Sequence, residues 1–216
     1  MPQTIVLADD HPIVRQGLRA VLDAEPDYEV VGEASDGLET LAVVERLKPS
    51  LLIVDVMMPG LNGLEVTRRV VERSPHTRVI VLSIHADEAH VLEALRYGAA
   101  GYALKDVNIA DLTRGLREVA AGRRYLSPPL SEHAIDAYAK RAASSTSTHE
   151  TLTPREREIL QLVAEGHTSA EIGVRLGISP RTVEVHRANL LHKLSLRTQA
   201  DVIRYAIRRG LLPPDG

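Results

Sequence analysis

The stretch LLIVDVMMPGLNG, residues 51–63, combines the pattern of a buried β-strand with a carboxylate. Four consecutive apolar residues, Leu51 to Val54, are typical of a strand that is covered on both faces in a parallel sheet. A proline and two glycines follow and predict a turn, so Asp55 is expected at the carboxyl end of the strand. Ligands of open α/β sheets bind outside this edge, and Asp55 is therefore a candidate site residue.

Four further β-rich runs lie around this strand, and segments of helical period separate them. The runs are TIVLA (4–8), YEVVGEA (28–34), RVIVLS (78–83) and AGYAL (100–104). This alternation predicts an α/β doubly wound, five-stranded parallel sheet with helices on both faces. We expect this domain over residues 1–124, with the flavodoxin-like strand order 2-1-3-4-5.

The C-terminal part, residues 150–216, shows only helical patterns, and residues typical of helix N-caps mark where each helix begins. The caps predict four helices, over residues 154–165, 169–176, 180–194 and 199–209. Only Gly177-Ile178-Ser179 joins the second helix to the third, which predicts a helix-turn-helix in a small all-α domain.

The segment between the two domains, residues 125–149, begins with a Pro-Pro turn and ends in a polar Ser/Thr tract. Such a composition predicts a flexible linker, with a short helix around residues 129–142.

Length, composition and charge are consistent with two modest domains. The 216 residues carry a net charge of −3, but residues 1–124 hold 14 Lys/Arg against 19 Asp/Glu, whereas residues 150–216 hold 10 against 8. The absence of cysteine excludes disulfides, thiolate chemistry and Cys-type zinc sites. No signal peptide or long apolar span is recognisable, which predicts a cytoplasmic protein without a membrane partner.

Polar residues follow four of the five predicted strands. Strand one ends at Asp9-Asp10, strand three at Asp55, strand four at Ser83 and strand five at Lys105. The carboxyl ends of parallel strands meet at one edge, and the predicted order places the switch point between strands one and three. We therefore expect the three carboxylates to lie together.

Three clustered carboxylates raise one another's pKa unless a cation lies between them. Their hard oxygen ligands suit Mg²⁺, which binds one or two carboxylates and phosphate oxygens. Lys105 adds a positive charge and Ser83 a hydroxyl donor. The set predicts a site that holds a phosphoryl group on Asp55.

This pattern resembles the receiver domain of two-component response regulators. The residues that carry the resemblance are Asp9-Asp10, Asp55-Val-Met-Met-Pro59, Gly63, Ser83 and Lys105. The resemblance implies that a sensor histidine kinase phosphorylates Asp55. It also implies that Asp10, Asp55 and the backbone carbonyl of Met57 bind Mg²⁺, with Asp9 assisting.

The resemblance assigns roles at the neighbouring strand ends as well. By this likeness, Ser83 and Lys105 contact the phosphoryl group, and Tyr102 occupies the aromatic switch position.

The C-terminal domain resembles the DNA-binding domain of the LuxR/FixJ class, which places the chain with the NarL/FixJ response regulators. The likeness lies in LTPREREILQLVAEG (152–166) and SPRTVEVHRANLLHKL (179–194). In the third helix a buried stripe is expected at Val183, Leu190, Leu191 and Leu194. DNA contacts are expected from the other side, at Arg181, Thr182, Glu184, Val185, Arg187, Ala188, His192 and Lys193.

Two departures from the class remove positive charge. Many members have Asn-Lys in place of Ser169-Ala170, and some have Lys in place of Glu184 and Ala188. We therefore expect one such domain to bind DNA weakly. Glu184 either accepts a hydrogen bond from cytosine N4 or pairs with Arg181 or Arg187.

The leading hypothesis is a transcription factor controlled by phosphorylation and not an enzyme beyond its own phosphoryl chemistry. A histidine kinase, double-stranded DNA and a second copy of the chain are the expected partners, with RNA polymerase as a further candidate. A phosphohydrolase of the haloacid dehalogenase type is the alternative from another class, but it requires Asp where this chain has Met57. A third hypothesis, a docking protein that does not touch DNA, is disfavoured by the complete helix-turn-helix.

Overall fold

The computed structural model describes residues 2–84, 86, 88–128, 130, 152–209 and 211–212. The chain divides into two compact units, residues 1–144 and 145–216. Among the described residues the first unit alternates strands and helices in the order β1 Gln3–Ala8, α1 Pro12–Asp23, β2 Tyr28–Ala34, α2 Gly37–Leu47, β3 Leu51–Asp55, α3 Gly63–Arg73, β4 Arg78–Ser83, α4 Glu88–Arg96, β5 Gly101–Leu104, α5 Ile109–Ala120 and β6 Tyr125–Leu126.

The strands form one parallel sheet in the order β2-β1-β3-β4-β5-β6. The doubly wound fold and the order of the first five strands are confirmed. The switch point lies between β1 and β3, where Ala8 pairs with Val54. The residues that follow these strands therefore meet at the crevice where such sheets bind ligands.

The sheet has a sixth strand, which the expectation of five strands missed. Tyr125 pairs with Gly101 and Leu126 with Tyr102, and both residues of β6 are buried. A strand of two residues has no periodicity that sequence can reveal, and its stability comes from packing beside β5. The prediction of a linker from residue 125 is therefore wrong for Tyr125 and Leu126. The rest of the predicted linker, with the helix expected around 129–142, lies mostly outside the described residues.

Continuous apolar runs in the central strands supply two cores, one on each face of the sheet. In β3, Leu52 and Val54 join one buried cluster, whereas Leu51 and Ile53 join the other. Side chains alternate along a strand, so a strand with both faces covered needs apolar residues at every position. The central strands therefore lie buried between two layers of helices.

The second unit is helical, with α6 Pro154–Ala164, α7 Ser169–Leu176, α8 Pro180–Leu194 and α9 Gln199–Arg208. The predicted helices agree to within one residue at each end. Thr153, Thr168 and Thr198 form complete capping boxes, and Ser179 accepts the Thr182 amide at α8.

The turn between α7 and α8 is the predicted tight connection. Gly177 ends α7 with φ 64°, a left-handed conformation that glycine adopts without steric cost. Apolar residues of all four helices then share one buried core, including Ile159, Ile172, Val183 and Val202. In the described part of the chain no helix is long and apolar enough to cross a lipid bilayer.

Candidate functional site

The carboxyl ends of β1 and β3 bring together a group that we call the carboxylate edge, comprising Asp9, Asp10, His11, Asp55 and Lys105. The pairing of Ala8 with Val54 places Asp9 and Asp55 side by side, and each is only 1% exposed. The short turn after β5 adds Lys105, whose backbone amide donates to the Ser83 carbonyl at 2.8 Å. The strand ends therefore meet as predicted.

The ammonium of Lys105 bridges two carboxylates. Its Nζ lies 2.8 Å from Asp9 Oδ2 and 2.8 Å from Asp55 Oδ2. Burial disfavours the charged ammonium, but the adjacent Asp55 and Asp9 outweigh this effect and raise the pKa of Lys105. Lys105 is therefore a permanent cation at the edge.

Burial raises the pKa of Asp55 to about 6. The charge and hydrogen bond of Lys105 and the backbone amide of Met57 lower the pKa, whereas the negative charge of Asp9 adds to the increase. One ammonium thus offsets only part of the desolvation and repulsion. The edge has capacity for a further positive charge.

The donor set fits a hard divalent cation. Ligand atoms of Asp9, Asp10, His11 and Asp55 all lie within 4.8 Å of one another. The buried oxygens that face this point are Asp9 Oδ2 and Asp55 Oδ2, which pair with Lys105, and Asp10 Oδ1, which lies 2.7 Å from His11 Nδ1. Such oxygens are the preferred ligands of Mg²⁺.

His11 also lies at this edge, which the pattern of polar strand-end residues does not predict. Its Nδ1 lies 2.7 Å from Asp10 Oδ1 and 3.1 Å from Asp9 Oδ1, and its side chain is 63% exposed. The only signal in the sequence is its position directly after Asp9-Asp10. Adjacency alone does not predict a shared site, because the direction of the next side chain depends on how the backbone turns there.

Gly63 fixes the backbone that carries Asp55. A Cβ added to Gly63 would lie 2.0 Å from the Asp55 carbonyl oxygen, so no larger residue fits without displacement. The Gly63 amide also donates to the Val56 carbonyl at 2.9 Å, and Asn62 caps α3 by accepting the Glu65 amide. The turn in the quoted stretch therefore locks the end of β3 onto the start of α3.

Ser83 and Tyr102 are both fully buried. Ser83 ends β4, one residue beyond the partner of Asp55 in the β3–β4 ladder. Tyr102 pairs with Val81 and belongs to the core on one face of the sheet. Their contact and switch roles remain predictions.

The helix-turn-helix presents the predicted outer side of α8, which we call the recognition face. Val183, Leu190 and Leu194 are buried, whereas Leu191 is only half-buried against the core. Seven of the residues expected to contact DNA are exposed: Arg181, Thr182, Glu184, Val185, Ala188, His192 and Lys193.

Several polar side chains of the recognition face have partners within the unit. The Glu184 carboxylate accepts from the Ser169 hydroxyl, and Arg187 Nη1 donates to the same hydroxyl oxygen at 3.1 Å. Lys193 Nζ lies 2.7 Å from Glu156 Oε2 on α6. Of the two expectations for Glu184, pairing with Arg187 occurs at 3.8 Å, and the cytosine contact remains a prediction.

Both units match known families. The response regulator receiver domain matches residues 5–117, and the luxR family of bacterial regulatory proteins matches residues 150–206. The nitrate/nitrite response regulator protein NarL of Escherichia coli strain K12 is 41% identical over 201 residues, which cover 93% of each chain.

Solved structures of response regulators are similar to the first unit and to nearly the whole chain. The receiver domain of the response regulator NarL from Mycobacterium tuberculosis is 35% identical with a TM-score of 0.55, and covers 56% of this chain and 98% of its own. A structure of the response regulator RcsB in complex with DNA is 26% identical with a TM-score of 0.56, and covers 95% of this chain and 98% of its own. The chain therefore belongs to the NarL/FixJ family of two-component response regulators, with a receiver domain followed by a LuxR-type DNA-binding domain.

Proposed function

We propose that Asp55 is the phosphoacceptor through which a sensor histidine kinase controls this DNA-binding regulator. The observation that carries the proposal is the buried Asp55 carboxylate with Lys105 Nζ at 2.8 Å and two further aspartates beside it. A nucleophilic carboxylate with a fixed cation nearby is the arrangement that phosphoryl transfer requires.

The reaction forms a bond between an Asp55 carboxylate oxygen and phosphorus, while the bond from phosphorus to the donor breaks. The donor group leaves with the electron pair of that bond. Asp10, Asp55 and the Met57 carbonyl would hold Mg²⁺, with Asp9 assisting, and the ion would supply charge neutralisation at the phosphoryl oxygens.

Lys105 and Ser83 complete the site on the protein side. The Lys105 ammonium, freed from part of its pairing with the ionised Asp55, stabilises the negative charge of the phosphoryl group. Ser83 donates its hydroxyl to a phosphoryl oxygen, and Tyr102 responds to the change as the aromatic switch. The chain catalyses no reaction beyond the gain and loss of its own phosphoryl group.

The second unit acts on double-stranded DNA in the cytoplasm. Arg181, Thr182, Arg187 and Lys193 contact phosphates, while Glu184, Val185, Ala188 and His192 face the bases. Phosphorylation adds nearly two negative charges at one strand end, and this charge acts at a distance by biasing an element with two arrangements. Control then runs through dimerisation or through release of a masked α8, with RNA polymerase as a further partner at the promoter.

Phosphorylation of the full chain tests this proposal. With Mg²⁺ and a small acyl-phosphate donor, intact-protein mass spectrometry should detect one phosphoryl group that hydroxylamine removes. Asp55→Asn should abolish it. Asp27→Asn is the matched control, because Asp27 is an exposed aspartate away from the edge. Equal labelling of Asp55→Asn and wild type would refute the assignment.

A further inference from the structure

The Ser169 hydroxyl joins two oppositely charged side chains of the recognition helix to the helix before it. Ser169 is the first residue of α7, and it donates to the Glu184 carboxylate while accepting from Arg187 Nη1 at 3.1 Å. A hydroxyl has one donor and two acceptor sites, so both bonds form at once. We call these three residues the Ser169 clamp.

The clamp holds an exposed acceptor beside a half-buried donor. The Glu184 side chain is 61% exposed and that of Arg187 only 28% exposed, with a closest N–O distance of 3.8 Å. An exposed glutamate on a helix normally samples many rotamers, and fixing one of them on binding costs free energy. The hydroxyl restricts the carboxylate before DNA arrives.

We propose that Ser169 is a positioning residue for DNA reading, which aims the Glu184 carboxylate at the exocyclic amine of a cytosine in the major groove. The inference rests on the proposed DNA binding by α8. An ionised carboxylate only accepts hydrogen bonds, and the groove offers donors only at cytosine N4 and adenine N6.

Cytosine is favoured over adenine by the groups next to each amine. Adenine N6 lies between its own N7 and the O4 of thymine, both acceptors that repel a carboxylate. Cytosine N4 has an acceptor on one side only, the O6 of the paired guanine. A fixed carboxylate therefore selects a C·G pair with cytosine on the contacted strand.

Arg187 reduces the electrostatic cost of bringing this carboxylate near DNA. Its guanidinium compensates the charge of Glu184 and keeps further N–H groups for a phosphate. In this arrangement Arg187 supplies affinity and Glu184 supplies selectivity, while Ser169 fixes the two relative to each other.

Binding of the full chain to a randomised double-stranded DNA library, with sequencing of the bound fraction, tests the inference. Wild type should select C·G at one position of each half-site. Ser169→Ala should reduce that preference about tenfold, the effect of one lost directed contact, and leave the other positions unchanged. Ser169→Thr, which retains the hydroxyl, should restore it.

Glu184→Gln gives an independent readout. An amide both donates and accepts, so this variant should accept more than one base at the same position and bind random DNA more tightly, because a negative charge is removed. An unchanged base preference in both Ser169→Ala and Glu184→Gln would overturn the inference, as would a uniform loss at all positions in Ser169→Ala. Failure of wild type to bind DNA at all would overturn the proposed function with it.

Discussion

The carboxylate edge of the receiver and the recognition face of the helix-turn-helix both carry charged side chains, but those of the edge are largely buried and those of the face are largely exposed. Asp9 and Asp55 are each 1% exposed, whereas the Glu184 side chain is 61% exposed. At the edge, burial disfavours the charged carboxylate and raises the pKa of Asp55 to about 6 although Lys105 opposes this shift, and charges there interact with little screening by water. On the face, solvent screens most of the interaction between charges.

This difference teaches how the two sites use charge. A buried cluster concentrates its energy in a few residues, so one added group, such as a phosphoryl, changes the balance of the whole cluster. An exposed face distributes its energy over many weak contacts, which suits a surface that must bind and release a polyanion. Removal of single residues should therefore have large effects at the edge and small, graded effects on the face.

The largest effect is expected from Lys105→Met. Removal of the ammonium leaves two buried carboxylates without a cation, and breaking a buried ion pair in this way costs about 3 to 5 kcal/mol. Urea denaturation at pH 7 in the presence of a chelator, monitored by hydrogen exchange in β3 and β5, should show this decrease in the free energy of unfolding of the receiver. Addition of Mg²⁺ should restore part of that free energy. Lys48→Met removes an exposed lysine from the same unit. An equal and small effect of both variants would mean that the edge is screened like a surface.

Effects of intermediate size on DNA binding are expected from Arg187→Ala and Val185→Ala. Arg187→Ala should weaken binding to every sequence roughly tenfold and lower the slope of log affinity against log salt by about one. Val185→Ala should change the preference among sites, because an exposed apolar side chain contacts base edges rather than phosphates. Fluorescence anisotropy over a salt series measures both. Identical uniform losses for the two variants would show that the recognition face is assigned incorrectly.

The smallest effect is expected from Glu156, a buried carboxylate of the helical unit that belongs to a capping box. Burial raises the pKa of Glu156, but Lys193 and the hydrogen bonds from Thr153 outweigh it, so the net pKa is lowered. The pKa of Glu156 in the folded state thus lies below its pKa in the unfolded state, which is about 4.3. The resulting stabilisation is fully present above this unfolded pKa and is lost as pH falls through the folded value.

Glu156→Gln should therefore lower the free energy of unfolding of the helical unit at pH 7 by about 1 kcal/mol, and this loss should shrink as pH falls below the unfolded pKa. Lys193→Met should produce a similar loss at pH 7, since it removes the other partner. Thermal denaturation across this pH range measures the difference. A loss of equal size at both ends of the range would exclude a titrating origin.

The sequence predicted those strands and helices whose apolar pattern and caps agree with where the fold places them. The apolar run before Asp55 specified a two-sided strand, and the caps at Thr153, Thr168, Ser179 and Thr198 specified where the helices begin. These features are local, because a cap or a period involves residues within a few positions of one another.

The features that sequence missed depend on contacts between distant segments. β6 exists because Tyr125 and Leu126 pack beside β5, and its two residues carry no pattern of their own. The contact of Ser169 with Glu184 joins residues 15 apart across the helix turn. The ion pair of Lys193 with Glu156 on α6 is also not predictable from sequence, because sequence spacing does not specify which partner a long side chain reaches.

The central claim is that charge placed on Asp55 in one unit changes DNA binding by the other. The direct measurement adds beryllofluoride, a stable mimic of the phosphoryl group, to the full chain and follows three signals. These are mass by light scattering, hydrogen exchange of residues 180–194, and affinity for a DNA that carries two half-sites. Asp55→Asn serves as the control that cannot bind the mimic.

We expect wild type to bind the two-half-site DNA more tightly with the mimic than without it, together with an increase in mass or in exchange of α8. Asp55→Asn should show none of these changes. If mass, exchange and affinity all stay constant in wild type while Asp55 is demonstrably occupied, the two units act independently and the central claim is wrong.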